Sequence, residues 1–366
     1  MDKIYKLIEF NSFDEFLSEV VHTPSRVEPR LWRGQSVGDW FLSPSLFREN
    51  GKEVLETALG ICTADNGLQD ILNAEALVLF GFYHEWKKTG LSVPHIELFE
   101  GFDNKRKFIE GYSAYYYEFD KSPYYDIFNE IESDPKENNI MVRRNRNVED
   151  LAALAQHNGI PTRLVDWTYD VNAALYFAAI GAASKVSIDT LFDRFAIWEF
   201  STLYADFQLS PQNLQPEFLR LVSTPHLTNK RQQSQSGLLM YTNLSLLRDL
   251  VAREIGHEKS VCYQSGAFNC AYYYLSQIEN AIALSQFDYT LRNHTQLGEK
   301  ISVVSPLFKY TLPYSELPIV FDYLTSVNAN RVRYFPDYGN VYDGLREKNR
   351  TKTAIEIIEN AKKLIP

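Results

Sequence analysis

Cysteine is almost missing from this chain: Cys62, Cys262 and Cys270 are the three among 366 residues, and none stands in a C-x-x-C arrangement. Three thiols cannot all pair, which argues against a disulfide framework and against a Cys-rich zinc site. A reducing, cytoplasmic setting is therefore expected. Long apolar runs are missing too. The longest spans the eleven residues Ala173 to Ala183, short of the ~20 that a membrane-crossing helix needs, so no membrane partner is expected. The first twenty residues carry acids and no apolar core, unlike a secretory signal. Neither the phosphate loop G-x-x-x-x-G-K-[ST] nor a G-x-G-x-x-G turn after a strand occurs. His84-Glu85 has no second histidine four residues on, and no G-x-S-x-G elbow exists. The seven histidines are scattered, so no metal site is expected. Ordinary P-loop enzymes, Rossmann dehydrogenases, zinc proteases and serine hydrolases are thereby disfavoured.

What is present is an acidic, aromatic-rich globule. Lys and Arg number 37 against 47 Asp and Glu, a net charge of −10. That balance opposes non-specific phosphate-backbone binding, so nucleic acid is not an expected partner despite local basic clusters such as Lys105-Arg106-Lys107. Hydrophobic residues make up 45% and charged residues 23%, which excludes bulk disorder. With 23 Tyr, 23 Phe and 5 Trp, rings are expected to fill a large core.

Along the chain, residues 12–21 read as a short amphipathic helix capped by Ser12, with Glu15 at the capping-box position. RLWRGQ reads as a strand. Apolar spacing predicts a helix over 68–89, and further helices over 97–119, 124–132 and 147–156. Gly159 is placed to end the last of these, with Pro161 preventing continuation. TRLVDW reads as a strand. The segment after it is apolar almost all round and predicts a buried helix. RFAIWEF and ISVVSPL read as strands, and residues 317–328 and 350–364 as late helices. The expected fold is α+β: a mixed sheet core with a large, mostly helical insertion at about 50–146, within a single domain covering 1–366.

Two stretches are dense in chemically special residues. In the first, Arg33 closes an apolar strand beside Gly34 and Gln35. A glycine permits positive φ or close approach of a ligand, and an arginine at a strand end offers a rigid fork suited to phosphate or carboxylate. In the second, Gln156, His157, Thr162, Arg163, Asp166 and Trp167 crowd one loop and strand. By period-two alternation Arg163 and Asp166 face opposite ways, so they do not pair automatically. Each of these residues also has a structural reading. Arg33 could clamp loop carbonyls, the second stretch could be a satisfied buried polar network, and Trp167 could be core.

Trp32-Arg33-Gly34, the W-x-L-x-P-S-L-F-R stretch from Trp40 to Arg48, Q-H-x-G-x-P-T-R-L-x-D-W-T from Gln156 to Thr168, and A-L-Y-F-A at Ala174–Ala178 together resemble the FRG domain family. Trp32 takes the position where that family has Phe or Tyr. Arg231-Gln232-Gln233 with Gly237-Leu238, and Phe335-Pro336-Asp337, resemble later family elements with altered spacing. The resemblance spans about residues 20–350. FRG domains occur in bacterial and phage proteins, and by analogy of fold the resemblance implies an ADP-ribosyltransferase-like relation.

Two functions follow from that resemblance. The first is an NAD-handling enzyme, with NAD the candidate cofactor and the chemistry passing through an oxocarbenium-like sugar. In it Arg33 holds phosphate, with Gly34, Gln35, Gln156, Thr162 and Trp167 as ligand-binding residues. Asp166, His157 and Arg163 are the candidate catalytic residues, and Glu199 is a substitute for a glutamate that is not evident. The second is a non-catalytic module binding a nucleotide, another small anionic ligand or a protein partner of unknown identity, for example in bacterial or phage defence. At least three of Arg33, His157, Arg163 and Asp166 are expected to meet in one cleft.

Overall fold

The computed structural model describes residues 5–23, 30–48, 51, 53–54, 68–90, 151–201, 219–222, 234–242, 307–336 and 339–363. Among these, seven strands form one sheet: β1 (Lys6–Glu9), β2 (Arg30–Gln35), β3 (Val165–Thr168), β4 (Arg194–Ser201), β5 (Leu219–Val222), β6 (Gly237–Thr242) and β7 (Leu307–Pro313). Their spatial order is β1-β7-β4-β2-β3-β6-β5. β1 runs parallel to β7 and every other pairing is antiparallel. With α1 (Phe13–Phe16), α2 (Leu68–Lys88), α3 (151–157), α4 (Val171–Ala183), α5 (Leu317–Ser326), α6 (Arg331–Tyr334) and α7 (Gly339–Lys362), the fold is α+β with a mixed sheet. No helix among the described residues is long and apolar enough to cross a membrane.

The helices cover one face. Trp32, Phe195, Ile197, Tyr310 and Leu312 turn toward α4 and the late helices, and pack with Phe13, Phe16, Val320 and Ile358. Beside them, Leu164 and Leu239 meet α2 and α3 through Ala76, Leu79, Tyr83, Leu151 and Ala155. On the other face Leu31, Val165, Trp167, Trp198, Phe200 and Met240 form an apolar layer under Leu42, from the loop after β2. Each fully buried large side chain in these layers contributes roughly 1.5–3 kcal/mol. Among the described residues, Trp167, Trp198, Tyr314, Tyr334, Phe13, Phe16, Phe195 and Phe200 are all fully buried, so rings do fill this core.

The Ser12 and Gly159 signals act as read. Ser12 caps α1, accepting from Asp14 N at 3.1 Å, although the helix widens into a π-turn over Leu17–Val21. Gly159 takes φ +88° at the end of α3. Asp170 caps α4 by accepting from Asn172 N, and α4 is apolar on nearly every side and buried. The expected helices over 97–119 and 124–132 and most of ISVVSPL lie outside the described residues. The strand that follows is Leu307–Pro313.

Candidate functional site

The ladder between β2 and β3 holds one pair, Trp32 opposite Thr168. Further along, an antiparallel register would set Arg33 against Trp167 and Gly34 against Asp166, but the strands part. Arg33 projects from the face opposite the helices, and Asp166 from the helix face. They meet through the gap: Arg33 Nη1 donates to the Asp166 main-chain carbonyl at 2.6 Å and stands 3.9 Å from its carboxylate. The guanidinium takes the place of a lost ladder hydrogen bond.

Its environment is unusual for an arginine. Arg33 Nε is buried without an acceptor among the described residues. Burial first, and then the neighbouring Arg48 charge, lower its pKa to about 10, while Asp166 pulls the other way. Arg48 is oriented by two bonds from its guanidinium to Ser43 O, at 2.9 and 2.6 Å. The Ser43 hydroxyl is buried with no hydrogen-bond partner among the described residues.

On the helix side of the gap, α3 delivers Gln156. Thr162 Oγ1 donates to Gln156 Oε1, and Gln156 Nε2 donates to Asp166 Oδ1 at 2.5 Å. Thr162 itself is fixed by Ser45: its N–H donates to Ser45 Oγ at 3.1 Å, and its carbonyl accepts from Leu46 N at 3.1 Å. The Asp166 side chain remains 57% exposed. Arg33, Gln156, Thr162 and Asp166 therefore form one connected polar group at the end of the sheet where β2 finishes and β3 begins, with the Arg48 charge close enough to act on Arg33.

The other sequence candidates are placed differently. Arg163 does not line this gap. It is 5% exposed and clamped on Glu75 of α2, its N–H at 2.9 Å, Nε at 2.8 Å and Nη2 at 2.5 Å from the carboxylate. Gln35 is buried and spans the Trp198 indole N–H and the Phe41 carbonyl, at 2.8 and 3.0 Å. Trp167 is 2% exposed, in the apolar layer with Phe200. Gly34 faces α4: a Cβ there would lie 1.9 Å from Ala174 O, so it serves helix packing and not ligand approach. Glu199 is buried, accepting from Tyr310 Oη at 2.5 Å and paired with Arg30 at 3.1 Å. His157 ends α3, half-buried. Of the four residues expected to converge, the structure joins Arg33 and Asp166.

Arg231-Gln232-Gln233 and Asp337 lie outside the described residues, but residues beside both weaker motifs meet the strong one. Thr168 Oγ1 donates to Gln235 O at 2.6 Å, and Gln235 Nε2 and Ser234 Oγ donate to Tyr334 O at 3.2 and 2.9 Å. Tyr334 Oη donates to Asp170, and burial with that carboxylate raises its phenol far above the ordinary range. Arg331 is held by Asn340, Asp343 and Glu347, and Glu347 also accepts from Tyr176. This second cluster is fully engaged in joining α4 to α6 and α7. Sequence reasoning missed Glu75, Arg48 as the neighbour of Arg33, and Ser45. The signal for Glu75 was an acid within the apolar stretch Ala74 to Leu79.

Residues 112–186 match the model of the FRG domain. The chain carries an FRG domain. The match takes in α3, β3 and α4, hence Gln156–Thr168 and Ala174–Ala178, and leaves Arg33–Gly34 outside it. The fold nevertheless seats that N-terminal Arg-Gly pair against the matched segment, Arg33 on β3 and Gly34 on α4. No curated protein and no solved structure matches the chain.

Proposed function

We propose that the FRG domain binds a small anionic ligand of the nucleotide class at the gap between β2 and β3, with Arg33 as the anion anchor. One observation carries this: a guanidinium held in the protein, its Nε without an acceptor among the described residues, beside a second guanidinium and 3.9 Å from the Asp166 carboxylate. A bound phosphate would supply the charge-assisted bonds that Arg33 lacks. It would also relieve the burial penalty on the cation. NAD is the first ligand to try, since Asp166 supplies the exposed carboxylate that sugar chemistry uses. In this reading the chain is one FRG-like domain over 1–366, with residues 50–146 its helical insertion.

Titration calorimetry with NAD and ADP-ribose tests the proposal. Binding should fall about tenfold or more in Arg33→Gln, the weight of one lost ionic hydrogen bond. No heat from the folded wild type with either ligand, or equal binding by the variant, would overturn it. Nicotinamide release from labelled NAD would make the domain an ADP-ribosyltransferase-like enzyme. Binding without release would make it a recognition module, of the kind a bacterial or phage defence protein could use.

A further inference from the structure

The polar chain Thr162–Gln156–Asp166 does more than fill the gap. Thr162 donates to the amide oxygen of Gln156, which fixes the orientation of that amide and commits its nitrogen to donation. The nitrogen goes to Asp166 Oδ1 at 2.5 Å. Thr162 in turn cannot wander. It is fully buried, bonded through both its N–H and its carbonyl to the Ser45–Leu46 turn, and its hydroxyl also accepts from Leu164 N at 3.3 Å. The result is a carboxylate with one oxygen occupied from the protein side. The other, Oδ2, accepts no hydrogen bond among the described residues and lies 3.9 Å from Arg33 Nη1. An exposed carboxylate does not ordinarily need a three-residue relay to hold it, because a solvated Asp gains little from a fixed rotamer.

Resting on the anion reading above, we infer that Gln156 and Thr162 are positioning residues that aim Asp166 Oδ2 at a hydroxyl of the ligand, so that the site takes a phosphorylated sugar rather than a bare anion. Arg33 holds the phosphate and Asp166 Oδ2 accepts from the sugar hydroxyl. A ligand without that hydroxyl leaves the aimed oxygen unpaired, which is how a polar site rejects a deoxy analogue. Discrimination then depends on the relay, whereas phosphate affinity does not.

Calorimetry with inorganic phosphate, ribose 5-phosphate and 2-deoxyribose 5-phosphate separates the two ideas. The wild type should prefer the ribose compound over the deoxy compound by about tenfold, one hydrogen bond to a charged acceptor. Gln156→Leu should bind the two sugar phosphates alike. Thr162→Val should behave as Gln156→Leu does, and Thr162→Ser, which restores the donor, should recover the preference. A wild type that binds phosphate but not the two sugars differently refutes the sugar assignment alone. Unchanged discrimination in folded Gln156→Leu refutes the relay. Failure of the wild type to bind any of the three removes the anion reading itself.

Discussion

At the scale of single residues, the Arg-Gly pair divides its labour. Arg33 turns into the gap while Gly34 turns to α4, where a methyl group would meet Ala174 O at 1.9 Å and Ala178 N at 2.9 Å. Backbone on both sides leaves nothing flexible to yield. Gly34→Ala should therefore cost more than ~3 kcal/mol, measured as a lowered urea midpoint with little change in slope. The need for glycine was legible in the sequence; its cause was not, because the clashing carbonyl belongs to a helix far along the chain. Arg33 and Asp166, both singled out in the sequence, do meet in the structure, while Arg163, equally dense in motif context, is taken by Glu75. The two arginines differ in the acid that the fold brings to each: Asp166 belongs to the motif, whereas Glu75 carries none.

At the scale of elements, the Arg163–Glu75 clamp ties α2 to the loop before β3. Both side chains are buried, with 5% and 0% exposed, so removing Glu75 takes a carboxylate 2.5 Å away from a buried guanidinium. Glu75→Ala should destabilise the fold by roughly 3–5 kcal/mol, and the double variant Glu75→Met with Arg163→Met should recover most of that. Thermal unfolding of the single and double variants checks both signs; a double variant no better than the single would contradict the account. The same clamp explains why β3 begins late. The alternating pattern predicts a strand from Thr162, yet Thr162 and Arg163 spend their N–H groups on Ser45 and Glu75, and the ladder starts at Val165. Strands β2 and β4 and helix α4 were readable because their periodicity is strong. Strand order was not, since alternation tells which face is buried and not which neighbour lies alongside.

At the scale of the molecule, Tyr314 pins the turn between β7 and α5 to the end of β2, its hydroxyl donating to Ser36 O at 2.6 Å. Burial, then the nearby Asp193, push its phenol from 10.0 up to about 12. A group raised in the folded state stabilises it fully below the unfolded value, and that contribution fades as pH climbs from 10 through 12. Tyr314→Phe should thus lose about 1 kcal/mol at neutral pH and show a shallower decline across that alkaline window in pH-dependent unfolding. The sheet order has a consequence in time. Lys6–Glu9 pairs with Phe308–Thr311, and β4 lies between strands from opposite ends of the chain. At the ~5–20 residues per second of synthesis, about 15–60 s pass between the appearance of the first strand and that of its partner. During that interval β1 has no partner, and β4 offers an open edge where β7 will sit. Early strands waiting on late ones are the situation in which edges find the wrong chain, so a ribosome-held segment ending before Leu307 should be far more prone to aggregate than the finished protein.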